Sequence, residues 1–127
     1  MWTLSGSSKE HMLGVHPDLI EITELALLIS TIDFGIPSTG GLRTAECQND
    51  LYRDNKSNCD GIVQLSKHQT GQALDFYAYV DGKASWDKHH LAMVAAALLQ
   101  AAARLRVPLK WGGNWKNFKD YPHVELG

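Results

Sequence analysis

The chain has 127 residues, 44% hydrophobic and 20% charged, with 12 Lys+Arg against 14 Asp+Glu and a net charge of −2 when the histidines are neutral. That length fits one domain, residues 1–127, with a real core, and the composition is globular rather than disordered. The charge balance excludes a phosphate-tracking nucleic-acid binder and a polybasic membrane anchor, and two cysteines, Cys47 and Cys59, make no disulfide framework and lack the number or spacing for a thiolate zinc knuckle; they read as reduced thiols, with a single bridge between them the alternative.

Residues 1–10 are small and polar after Trp2, with no basic start and no apolar run, so no export signal is expected. A first helix is predicted from about His16 to Ser30. Pro17 suits its first turn, and Asp18 and Glu21 suit its positive end. Ile20, Leu25, Leu28 and Ile32 form the expected buried stripe. Gly35 and Pro37 stop the pattern, and Ser38 to Leu42 is expected to be extended. Thr44 is a candidate N-cap for a helix over Ala45 to Arg53. Asn55 to Gly61 is turn-rich and polar. Gln72 to Val80 alternates with a period of two, so one strand is predicted, with Asp75, Tyr77 and Tyr79 on one face. Asp81-Gly82 is a turn signal. Asp87 opens a long helix to about Arg106. Its alanines and leucines cover every face, which suits a core helix and is too short an apolar run for a bilayer. Short strands are expected at Val107–Trp111 and Tyr121–Leu126. The mixture lacks a β-α-β repeat, so the predicted class is α+β, a small antiparallel sheet packed with helices.

Two segments carry chemistry: S-K-H-Q-T-G-Q-A-L-D, Ser66 to Asp75, and D-Y-P-H-V-E-L, Asp120 to Leu126. Two histidines and a carboxylate suit a zinc ion whose fourth position stays open, the catalytic rather than the structural pattern. Such chemistry also needs a carboxylate to carry the proton. Asp120 and Glu125 are both near His123 in sequence. His123 and Glu125 share one face of the last strand. Alone, a histidine seven residues before an aspartate is common on protein surfaces. An aspartate within an apolar strand is less common, because an unpaired buried carboxylate is costly.

The pattern S-x-H-x-x-G-x-A-x-D followed late by D-x-x-H resembles the lysostaphin/D-Ala-D-Ala peptidase/sonic hedgehog group of zinc peptidases, most closely the phage endolysins that are L-alanyl-D-glutamate endopeptidases. G-V-H-P-D-L (Gly14–Leu19), G-L-R-T-A-E-C-Q (Gly41–Gln48) and W-G-G-N-W (Trp111–Trp115) extend the resemblance over most of the chain. It implies a hedgehog/D-Ala-D-Ala peptidase-like fold and one Zn2+ held by His68, Asp75 and His123. It implies Asp120 as the catalytic carboxylate and Arg43 as a substrate-contacting arginine. Gln48, Ser66 and Trp115 are candidate substrate contacts, and Glu125 a residue orienting His123. The implied partner is the bacterial peptidoglycan stem peptide, cut at the L-Ala–D-Glu bond, by a monomer without nucleic acid or membrane insertion. Synthesis in a host cytoplasm and action on the wall after release would follow. The same motifs serve D-Ala-D-Ala carboxypeptidases and dipeptidases, and the hedgehog branch leaves a non-catalytic wall-binding domain as a further alternative.

Overall fold

In a computed structural model, which describes residues 2–127, four helices and six short strands enclose one hydrophobic core. Helix α1 (Gly6–His11) starts where the Ser5 hydroxyl accepts the Ser8 amide. Helix α2 (Pro17–Ile29) has proline in its first turn and is capped by His16, whose ring nitrogen accepts the Asp18 amide. Strand β1 (Asp33–Gly35) follows. Helix α3 (Ala45–Arg53) begins at Thr44, whose hydroxyl accepts the Cys47 amide. A 3₁₀ turn over Lys67–Thr70 leads into β2 (Ala73–Asp75) and β3 (Tyr77–Val80). Strand β4 (Lys83–Ser85) precedes helix α4 (Lys88–Leu105), which is capped by Asp87. Strands β5 (Leu109–Trp111) and β6 (His123–Leu126) complete the order.

The strands form two antiparallel three-stranded sheets, β1-β3-β4 and β2-β6-β5, where the sequence suggested one. The predicted strand over Gln72–Val80 is divided between them. Phe76, fully buried, stands at the switch and its amide bonds the Pro122 carbonyl. Alternation continues across the switch, so periodicity alone hides it.

Helices α2 and α4 pack on each other, and α4 also meets β3 and β5. The buried stripe of α2 is Leu19, Ile22, Thr23, Ala26 and Leu27, rotated from the expected one. Leu28 is exposed, and Ile32 lies past the helix end, buried ahead of β1. Helix α4 buries Leu91, Val94, Ala95, Leu98, Ala101 and Ala102 but leaves Met93, Ala96 and Ala103 exposed. It is thus one broad stripe rather than buried all round. No helix among the described residues is long and apolar enough to cross a membrane.

Candidate metal centre

Three local features bring His68, Asp75 and His123 together. His68 sits in the 3₁₀ turn, which Ser66 and Gln69 close as a capping box. Gly71 ends that turn at φ 74°, a left-handed conformation that suits a residue without Cβ. Asp75 is the last residue of β2 and lies directly opposite His123, the first residue of β6. Antiparallel register therefore sets two of the three side chains side by side, and the turn before β2 delivers the third.

The donor atoms form a near-equilateral triangle. His68 Nε2 lies 3.2 Å from Asp75 Oδ1 and 3.3 Å from His123 Nδ1, and His123 Nδ1 lies 3.0 Å from Asp75 Oδ1. Ligands at roughly 2.0–2.1 Å around a tetrahedral zinc ion are about 3.3 Å apart. The triangle is thus one face of such a tetrahedron, and its fourth corner faces the cleft. His68 and His123 are 2% and 7% exposed, so the histidine donors are shielded from bulk water.

The partners behind the triangle fix the tautomers that a metal requires. His68 Nδ1–H donates to the Gly41 carbonyl at 3.0 Å, which leaves Nε2 with its lone pair free for an ion. A Cβ on Gly41 would stand 2.1 Å from the His11 carbonyl oxygen, so this approach requires glycine. The stretch Ser38–Leu42, expected to be extended, is a turn whose carbonyls serve the site: Gly40 accepts the Asp75 amide and Gly41 accepts His68. His123 Nε2 meets Glu125 Oε1 at 2.9 Å, and Lys67 Nζ holds the other Glu125 oxygen at 3.0 Å and the Leu126 carbonyl at 2.9 Å. Sequence reasoning missed Lys67, because nothing local in S-K-H-Q joins it to a strand 58 residues later.

Charge is concentrated here. Burial favours the neutral form of Asp75, but the imidazoles of His123 and His68 beside it outweigh that and hold its carboxyl well below the usual range. Burial likewise opposes charge on His123, yet Asp75 and Glu125 push its imidazole up to about 9. The His123 hydrogen bond, with help from Lys67, draws Glu125 down to about 2. Asp120 behaves oppositely: burial, then the charge of Asp75, raise its pKa. Its Oδ2 stands 4.0 Å from His123 Nδ1, and its side chain is 48% exposed. It can therefore face both the centre and the cleft.

Arg43 donates Nε–H to the Thr39 carbonyl, one Nη1–H to Gln48 Oε1 and one Nη2–H to Asp75 Oδ2. It grips the Asp75 oxygen that points away from the triangle. Gln48 is 0% exposed, so as it stands it reaches the site only through Arg43, not by touching a substrate. Its amide nitrogen donates to Ser57 Oγ and the Cys59 carbonyl, tying Arg43 to the loop after α3. Ser66 and Trp115 line the cleft, and the Trp115 ring lies 5.3 Å from His123. The cleft encloses about 820 Å³ over the triangle. Trp111, Tyr77 and Tyr79 do not line it. Trp111 donates its indole N–H to the Tyr121 carbonyl, and Tyr77, in the other sheet, packs on Trp86 just after β4. Asp60 Oδ1 accepts three successive amides, Ile62 to Gln64, so it forms a turn.

His68, Asp75 and His123 form a group with the donor set and spacing to hold a metal ion, with a carboxylate beside it. The chain belongs to the phage L-alanyl-D-glutamate peptidase family, which matches residues 1–126. It is 33% identical over 121 residues to the L-alanyl-D-glutamate peptidase of Escherichia phage T5, covering 94% of this chain and 85% of that protein. It is 31% identical over 99 residues to the peptidoglycan L-alanyl-D-glutamate endopeptidase CwlK of Bacillus subtilis, covering 69% of this chain and 58% of the relative. The Serratia marcescens L-Ala D-Glu endopeptidase ChiX has a similar structure, with a TM-score of 0.86, 35% identity, and 99% of this chain and 90% of that one covered.

Proposed function

We propose that the protein is a zinc-dependent peptidoglycan peptidase that hydrolyses the bond between L-alanine and D-glutamate in the stem peptide. The observation that carries the metal chemistry is the 3.0–3.3 Å donor triangle with both histidine tautomers set from behind. The bond follows from the family and from three relatives named for it.

When bound, zinc polarises a carbonyl and lowers the pKa of water into the neutral range. His68, Asp75 and His123 would hold the ion. Asp120 Oδ2 takes the proton of the attacking water and passes it to the leaving amine, a task that its raised pKa favours. A guanidinium has five N–H groups, and Arg43 uses three of them on Thr39, Gln48 and Asp75. The remaining two can meet the oxyanion that develops on the scissile carbonyl. Ser66 holds the turn that carries His68, and Trp115 forms cleft wall beside His123. One chain supplies every ligand, so a monomeric single domain suffices. The phage relative favours a lytic role, with synthesis in the host cytoplasm and action on the wall after release.

Mass spectrometry of digested peptidoglycan tests the reading. Fragments beginning at D-glutamate are expected, lost with a chelator and restored by zinc. Asp120→Ala is expected to retain zinc and lose cleavage by about 10²–10⁴-fold. Release of terminal D-alanine alone, or no product from a zinc-loaded sample, would refute the proposal.

A further inference from the structure

The proposed bond joins alanine to glutamate, so the leaving residue bears a free carboxylate whichever of its carboxyl groups continues the chain. That charge must enter a cleft already lined by Asp75, Asp120 and Glu125. Like charges brought together in a partly dry site repel, so a cation is needed to receive it.

Four cationic side chains line the cleft: Arg43, Lys56, Lys67 and Lys119. Arg43 is bound to Asp75 and Lys67 to Glu125, at 2.9 and 3.0 Å. Among the described residues no carboxylate pairs with Lys119. Its Nζ instead donates to the Gly113 and Trp115 carbonyls, at 3.2 and 2.9 Å. An ammonium has three N–H groups, so one is left over. Trp115 also places its ring 5.3 Å from His123, and Lys119 is followed directly by Asp120. The ammonium is thus tied to its own loop in the wall of the cleft that Asp120 and His123 also line. Lys56, on the Asn55–Cys59 stretch of the lining, has no such anchorage among the described hydrogen bonds.

We propose that Lys119 sets specificity by pairing with the carboxylate of the glutamate on the leaving side of the bond. The inference rests on the L-alanyl–D-glutamate reading. A substrate whose glutamate carboxylate is capped as an amide loses this contact.

The test uses the zinc-loaded full chain and two soluble peptides, an N-acyl-L-alanyl-γ-D-glutamyl peptide and its counterpart with the free glutamate carboxylate amidated. The ratio of their kcat/KM values is measured in wild type, Lys119→Met, Lys119→Arg and Lys56→Met. This ratio does not depend on how much of a variant is folded. Wild type is expected to favour the carboxylate peptide by about ten- to hundred-fold, as for a hydrogen bond to a charged group. Lys119→Met is expected to bring the ratio close to one, Lys119→Arg to restore much of it, and Lys56→Met to preserve it. Equal slowing of both peptides by Lys119→Met would make Lys119 a clasp for its own loop and overturn the proposal. Equal wild-type rates on the two peptides would overturn it too. If wild type cut neither peptide, nor whole peptidoglycan, at this bond, the functional reading would fall first and this inference with it.

Discussion

Asp75 is bound on both oxygens, by His68 and His123 on Oδ1 and by Arg43 on Oδ2. This divided grip makes the metal-free protein sensitive to pH, with signs that can be worked out. Asp75 and Glu125 have depressed values, from ordinary ones of 3.8 and 4.5, so their stabilisation is present above about pH 4.5 and fades as pH falls through the folded values. Asp120, shifted upward, opposes part of that gain. His123 is raised from 6.5 to about 9, so its stabilisation is complete below 6.5 and disappears as pH climbs to about 9. The melting temperature of chelated protein is therefore expected to fall between pH 6.5 and 9. Zinc should weaken or reverse that fall, since the ion displaces the His123 proton. A melting temperature of the chelated protein that rises across this interval would contradict the assignment.

At the scale of elements, α4 offers the cleanest contrast. Leu98 is fully buried in the core, whereas Met93 on the same helix is 43% exposed. Leu98→Ala is expected to cost about 2–5 kcal/mol, and Met93→Ala roughly 0.5 kcal/mol or less. Urea unfolding of the two variants checks both figures. This helix and α3 were legible in the sequence because Asp87 and Thr44 announce their starts within a few residues. The strands β1 and β4 were not. Each is three residues long and exists only through β3, a partner more than 40 residues away in the case of β1. Helix α1 also passed unread, since none of its six residues is apolar enough to mark a buried stripe. The grouping of His68, Asp75 and His123 was legible through their spacing, which resembled a known family. Lys67 and Lys119 were invisible, because their meaning lies in what they touch: one reaches across to β6, the other back to its own loop.

For the molecule as a whole, the described residues place both sheets and four helices around one core, with the candidate metal centre where the end of β2 meets the start of β6. A ligand that binds only the folded chain stabilises it by mass action. Zinc at 100 times its dissociation constant is expected to add about 2.7 kcal/mol to the unfolding free energy. Chemical denaturation at graded free zinc measures this, and a midpoint indifferent to zinc would exclude a folded-state centre.

His68 and His123 are 55 residues apart in sequence, and the pairing of β2 with β6 is what closes that distance. Until those strands meet, an emerging chain offers an ion only the two neighbouring donors, His68 and Asp75. Closing so long a loop is among the slower events of folding. Metal capture during refolding should consequently lag behind the growth of helix signal and coincide with recovery of activity. The ion then serves as a clock for the fold: the moment it is held marks the moment the two distant strands have found each other.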